Sequence, residues 1–152
     1  MATLHLMVGL PCSGKSTRAK ILENEYNALV LSIDKYHIKL FGNDTMDENH
    51  DTRHMAIEEI LWEIAERALT LGIDVIMDIG FWGREERMVH KNRAKELGAG
   101  FKIHFMDVPK EELYKRLEKR NNESSPDSFY IPKELLDEYI PKFQPPGKEE
   151  LE

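Results

Sequence analysis

Four short apolar runs recur along the chain, separated by polar stretches of helical length. They are "LHLMVG" (4–9), "NALVLSID" (27–34), "GIDVIMDIG" (72–80) and "GFKIHFMD" (100–107). Their brevity, their Val, Ile, Leu and Phe content and their flanking Gly, Asn and Asp residues predict buried strands. Helical spacing predicts helices over 15–25, 34–41, 50–71, 83–97, about 109–121 and 132–140, with Pro109 suited to a first-turn position. In "KSTRAKILENEY" that spacing runs through Thr17, Ala19, Ile21 and Leu22. Strands alternating with helices predict an α/β fold, with a mostly parallel sheet of four or five strands covered on both faces. No fifth strand is evident in the tail. Polar "NNESSPDS" (121–128) and Pro-rich, charged "PKFQPPGKEELE" (141–152) read as mobile. The expected domain therefore spans 1–140, followed by a tail.

Composition narrows the class without naming a reaction. At 152 residues, 41% hydrophobic and 32% charged, the chain suits one soluble domain, and no run approaches a membrane span. Lys plus Arg is 21 and Asp plus Glu is 28, a net charge of −7. Proteins that bind polyanions show a basic surplus or stripe, so this balance argues for a small substrate over nucleic acid, without closing that alternative. The one cysteine, Cys12, cannot form an internal disulfide, which is compatible with a reducing cytoplasm. Nothing in the sequence sets an oligomeric state.

The chemistry concentrates in "GLPCSGKST" (9–17), directly after the first strand and opening the first helix. Gly9, Gly14, Lys15, Ser16 and Thr17 fit the phosphate-loop (Walker A) pattern without mismatch, with Cys12 and Ser13 inside it. Glycines let backbone N–H groups converge on phosphate oxygens, and the helix N-terminus favours their charge. Lys15 is expected on the β- and γ-phosphates of ATP and the Ser16 hydroxyl on Mg²⁺.

Ligands of parallel sheets bind beyond the carboxyl ends of the strands, where the next three runs place Asp34, Asp78 and Asp107. Asp34 is the candidate to orient an acceptor hydroxyl and take its proton; the plain alternative is a cap on "KYHIKLF". Asp78 is the candidate partner of Mg²⁺, and the Ile79 that follows it favours transfer over hydrolysis. Asp107, before Val108-Pro109, reads as a cap. Arg116 and Arg120 are i, i+4 partners just before 121–128, placed to meet transferring phosphoryl charge through a lid. Their plain alternative is a solvated face with a Glu112–Arg116 ion pair. Trp82 and Arg87 are candidate substrate contacts, although Phe81 and Trp82 also suit core packing. His50 and His54 read as solvated helix-start residues, since no third metal ligand stands near them in sequence.

With these residues placed, residues 4–140 resemble the P-loop kinases that include the kinase domain of phage polynucleotide kinase, the zeta-toxin kinases and chloramphenicol phosphotransferase. Members are often described as AAA-type ATP-binding proteins. The likeness rests on "GLPCSGKST", "SID", "VIMDIG", "REER" and "DVPKEELYKRLEKRN". It implies a three-layer P-loop NTPase fold with a short lid, Asp34 as general base and Arg120 as lid arginine. Two departures bear on the substrate. His37 stands where polynucleotide kinases carry an arginine that grips a substrate phosphate, and Ile79 with "GFW" replaces a polar position. The expectation is an ATP-dependent kinase acting on a hydroxyl of a small molecule. The alternatives are a polynucleotide 5′-hydroxyl kinase and a nucleotide-binding ATPase or regulator without a transfer substrate.

Overall fold

The four apolar runs pair into a single parallel sheet in the order β2-β3-β1-β4. The computed structural model describes residues 1–123 and 129–151. Its strands are β1 (Thr3–Val8), β2 (Leu29–Ser32), β3 (Val75–Gly80) and β4 (Gly100–Phe105). The helices are α1 (Lys15–Tyr26), α2 (Ile33–Phe41), α3 (His50–Thr70), α4 (Arg84–Glu96), α5 (Lys110–Asn122), α6 (Lys133–Lys142) and α7 (Lys148–Leu151). Among the described residues the sheet has four strands, the lower of the two expected numbers.

Strand alternation divides the core. Leu4, Leu6 and Val8 of β1, with Val75 and Met77 of β3, face one side. There they meet Ile57, Leu61, Trp62, Ala65, Ala68 and Leu69, an apolar stripe at helical spacing on α3, and Ala94 of α4. Met7 and Ile76 face the other side, against Ala19 and Leu22 of α1. Helices on both faces of a parallel sheet make this the three-layer arrangement of P-loop NTPase kinase folds. A third cluster, with Leu10, Leu113, Leu117, Ile131 and Leu136, seats α5 and α6 beside the loop that follows β1.

The end of the chain departs from the mobile tail expected of it. Helix α6 runs on to Lys142 with Pro141 inside it, and Phe143 stacks on Phe105 with ring centroids 5.9 Å apart. Gln144 N–H donates to Trp82 O at 2.9 Å, and Arg84 N–H donates to Gln144 Oε1 at 2.9 Å. Glu150 of α7 then accepts from Arg87 Nε at 3.0 Å and Nη2 at 3.2 Å. A guanidinium with 1% of its side chain exposed needs a charged partner, and the tail supplies it.

Candidate active site

The segment between β1 and α1 turns tightly, and two of its positions favour glycine, one for space and one for backbone conformation. A Cβ on Gly9 would lie 2.5 Å from Ser13 Oγ. Gly14, which starts α1, has φ +93°, in the left-handed region that glycine enters freely. Cys12 adopts φ 68°. The loop is tied to the sheet by Gly9 N–H donating to Gly80 O at 3.1 Å, and its Gly9 O accepts from Trp82 Nε1 at 3.1 Å.

Lys15 bends back on this loop, donating from Nζ to Leu10 O at 3.0 Å. Burial lowers the Lys15 ammonium pKa, while Asp78 and Asp34 oppose that shift. Ser16 Oγ donates to Asp78 Oδ2 at 2.7 Å, bringing together the two groups expected at Mg²⁺. Their oxygens are hard donors of the kind that ion takes, so the pair fits it. Thr17 follows, exposed, on the first turn of α1.

Asp34 occupies the first turn of α2, one residue past Ile33, and no side chain caps that helix. The cap alternative therefore does not describe it. Half of its side chain is open, yet protein atoms surround the carboxylate: their desolvation raises its pKa, while Lys15 lowers it. Asp34, Lys15, Ser16, Asp78, Arg120 and Trp82 all line one cavity of about 510 Å³. Asp107 is exposed, and α5 also lacks a side-chain cap, so the cap expected of Asp107 is absent.

The two arginines of α5 converge on Cys12. Arg120 donates from Nη2 to Phe129 O at 2.7 Å and places Nη1 3.6 Å from Cys12 Sγ. Its Nε is buried with no partner among the described residues. Arg116 donates to Cys12 O at 3.2 Å and to Glu112 Oε1 at 3.1 Å. It thus forms the helix ion pair offered as its plain alternative, while also touching the loop. The expected lid over 121–128 falls largely on 124–128, outside the described residues.

Two expected substrate contacts are placed elsewhere. Arg87 is sealed under the tail by Glu150 and donates to Phe81 O at 2.9 Å, and it does not itself line the cavity. His37 is fully buried: Asp44 Oδ1 lies 2.7 Å from its Nε2, and His54 Nδ1 lies 3.0 Å from its Nδ1. It does not line the cavity itself; its neighbours His50 and His54 do. Nor are His50 and His54 solvated, since both are half-buried and line the cavity.

Sequence reasoning missed part of the cavity lining: Asp51, His54 and Glu58 of α3 with Glu86 and Tyr139. A signal existed, because positions 51, 54 and 58 are spaced three and four apart and share one helix face. Burial raises the carboxyl pKa of Glu58, and nearby Glu86 adds to the shift. Burial likewise raises Glu86, against a Gly83 backbone hydrogen bond and Arg87.

An AAA domain family model matches residues 4–146. No curated protein matches the chain. Among solved structures, a chain of the Pnkp1/Rnl/Hen1 RNA repair complex is 26% identical with a TM-score of 0.75, matching 93% of this chain and 43% of its own. This chain thus spans less than half of that relative. A sugar kinase from Janibacter sp. HTCC2649 is 19% identical with a TM-score of 0.70, over 99% of this chain and 82% of that one. Kti12 from Chaetomium thermophilum, in complex with ADP-AlF3, is 18% identical with a TM-score of 0.73, over 96% and 82% of the respective chains.

Proposed function

The chain belongs to the AAA domain family, and from that premise we propose that it is an ATP-dependent kinase, transferring the γ-phosphoryl group to a hydroxyl of a small-molecule acceptor. The observation that carries this reading is the shared cavity. A phosphate loop with its lysine opens into the same space as Asp34, a carboxylate that caps no helix and that a nucleotide-binding site alone does not require. Phosphoryl transfer asks the protein for positioning and charge neutralisation, with one group to orient the hydroxyl. Lys15 and the loop N–H groups would hold the phosphates, and Arg120 would meet charge on the transferring group. Asp34 would accept the hydroxyl proton. Ser16 and Asp78 would hold Mg²⁺, which neutralises phosphate charge when bound.

The acidic part of the cavity wall bears on the acceptor. Asp51, Glu58 and Glu86 line it, and the cavity's only lysine or arginine side chains among the described residues are Lys15 and Arg120, both on the nucleotide side. Carboxylates repel a phosphate-bearing acceptor and accept hydrogen bonds from hydroxyl or ammonium groups. The RNA repair neighbour raises the polynucleotide reading, and this wall weighs against it, as does His37 in place of an arginine. The test is an ADP-release screen over sugars, amino sugars, other hydroxylated metabolites and 5′-hydroxyl oligonucleotides. Turnover with a small hydroxyl compound supports the proposal, whereas turnover with oligonucleotides alone replaces it. ATP binding without release on any acceptor would favour a regulator.

A further inference from the structure

Three imidazoles meet beside the cavity, and the proposed transfer uses none of them. His37 comes from α2, while His50 and His54 stand one turn apart at the start of α3. One ring nitrogen from each lies within 4.8 Å of the other two. Ring centroids are 4.5 Å apart for His37 and His50, 5.1 Å for His37 and His54, and 5.4 Å for His50 and His54. Aromatic rings close the cluster: Phe41 packs edge-on to His37, and Phe129 to both His37 and His50.

A single carboxylate holds one nitrogen of His37 and one of His50. Asp44 Oδ1 accepts from His37 Nε2 at 2.7 Å and from His50 Nδ1 at 2.6 Å. Arg53 occupies Asp44 Oδ2 at 3.0 Å and keeps the carboxylate oriented. With their protons on those two nitrogens, His37 Nδ1 and His50 Nε2 carry the lone pairs. His54 Nδ1 faces His37 Nδ1 at 3.0 Å, and its other nitrogen, Nε2, lies 3.9 Å from Asp34 Oδ1. His37 and His50 thus each have a carboxylate on one nitrogen and leave the other for the cluster, while the nearest carboxylate to His54 Nε2, that of Asp34, lies beyond hydrogen-bond distance. Metal-binding histidines are oriented in this way, by a carboxylate on the outer N–H. Two nitrogens sharing a tetrahedral ion at 2.0–2.1 Å stand about 3.3 Å apart, close to the separation of His37 and His54.

We infer that His37, His50 and His54 form a binding site for a divalent transition-metal ion of the Zn²⁺ class. Imidazole donors select such an ion over Mg²⁺, which takes oxygen ligands, so the site is chemically separate from Ser16 and Asp78. Three protein ligands leave a fourth position open to water or another ligand, and two of the three, His50 and His54, also line the cavity. For His54 to bind through Nδ1, its proton moves to Nε2, towards Asp34; no proton is released overall. The site does not depend on the kinase reading.

The test uses the untagged chain of 152 residues, titrated with Co²⁺ in the presence of excess Mg²⁺. The expected result is saturation at one Co²⁺ per chain, with the visible absorption of a four-coordinate ion. Imidazole NMR signals of three of the six histidines, His37, His50 and His54, should broaden or shift. His50→Gln and His54→Gln should each weaken Co²⁺ binding at least about tenfold, and Asp44→Asn about 10–100-fold. The NMR result needs no variant, so a substitution that unfolds the chain does not blunt the test. The site is overturned by the absence of saturable binding, or by perturbation centred on His90, whose Nε2 lies 3.9 Å from Glu58 Oε1 in a second cluster with Glu86. It is equally overturned if folded His50→Gln and His54→Gln bind Co²⁺ as the wild type does.

Discussion

Glu150→Gln isolates the contact that turns the tail into part of the domain. Arg87 is 1% exposed and Glu150 10%, and two hydrogen bonds of 3.0 and 3.2 Å join them. Removing one partner of a buried ion pair costs about 3–5 kcal/mol, because the other charge is left without compensation. Here the low end applies. Arg87 keeps its bond to Phe81 O, and the short α7 can swing aside and admit water. About 3 kcal/mol corresponds to a fall in Tm of about 6–12 °C for a chain of this size. Glu149→Gln, which breaks only the exposed pair with Arg84, serves as control and should cost under about 1 kcal/mol. The sign of the pH effect follows from Glu150. Burial alone would raise its carboxyl pKa, but bonds from Arg87 and Gly147 N–H hold it below its ordinary value. Its stabilisation is therefore complete above the unfolded pKa and lost as pH falls through the folded one, and Glu150→Gln removes that acid-sensitive share. Thermal unfolding by circular dichroism measures both effects. Equal Tm values for the two variants would refute the docked tail.

Four further outcomes follow from the site and its surroundings. Lys15→Ala should weaken Mg-ATP binding about tenfold to a hundredfold in a calorimetric titration, the range for a hydrogen bond to a charged group; unchanged affinity would remove the phosphate-loop role. Asp34→Asn should leave ATP affinity nearly intact and lower turnover of the acceptor found by the screen by about 10²-fold, the low end for a general base; normal turnover would move the base elsewhere. Arg120→Ala should lower kcat by about 10²–10³-fold with a smaller change in ATP affinity, since its contact strengthens as transition-state charge develops; an unchanged kcat would return it to structure alone. Burial holds the pKa of His90 and of His104 down at about 4, with Arg93 adding to the first and His5 to the second. Each contributes stability that is complete above the unfolded value of about 6.5 and lost as pH falls towards 4. NMR titration of the two rings with midpoints near 6.5 would contradict their burial.

Local pattern in this chain carries the scaffold. Each apolar run is four to six residues of strand with its own flanking breakers, and the stripe on α3 repeats at the spacing of a single helix. Such signals are complete within a dozen residues, so they are legible before any contact forms. The phosphate loop is equally local: Gly9, Gly14, Lys15 and Ser16 act through the backbone they themselves shape. Asp34 and Asp78 were legible because a parallel sheet brings its strand ends to one edge.

The rest depended on distance along the chain. Arg87 reads in its own helix as a candidate substrate contact, and its pairing with Glu150, 63 residues later, shows it buried under the tail. His37 stood as a lone residue in a phosphate-gripping position, and His50 with His54 lacked a third ligand, until the packing of α2 against α3 put the three rings together. Glu58 and Glu86 come from different helices, and burial in the folded chain raises both carboxyl pKa values, with Glu86 adding to the shift of Glu58. A sequence determines which residues can do chemistry and which local element carries them. Which charges lose their water, and which groups then face one another, is decided when distant segments pack, because desolvation and pairing belong to the folded cavity and to no single segment.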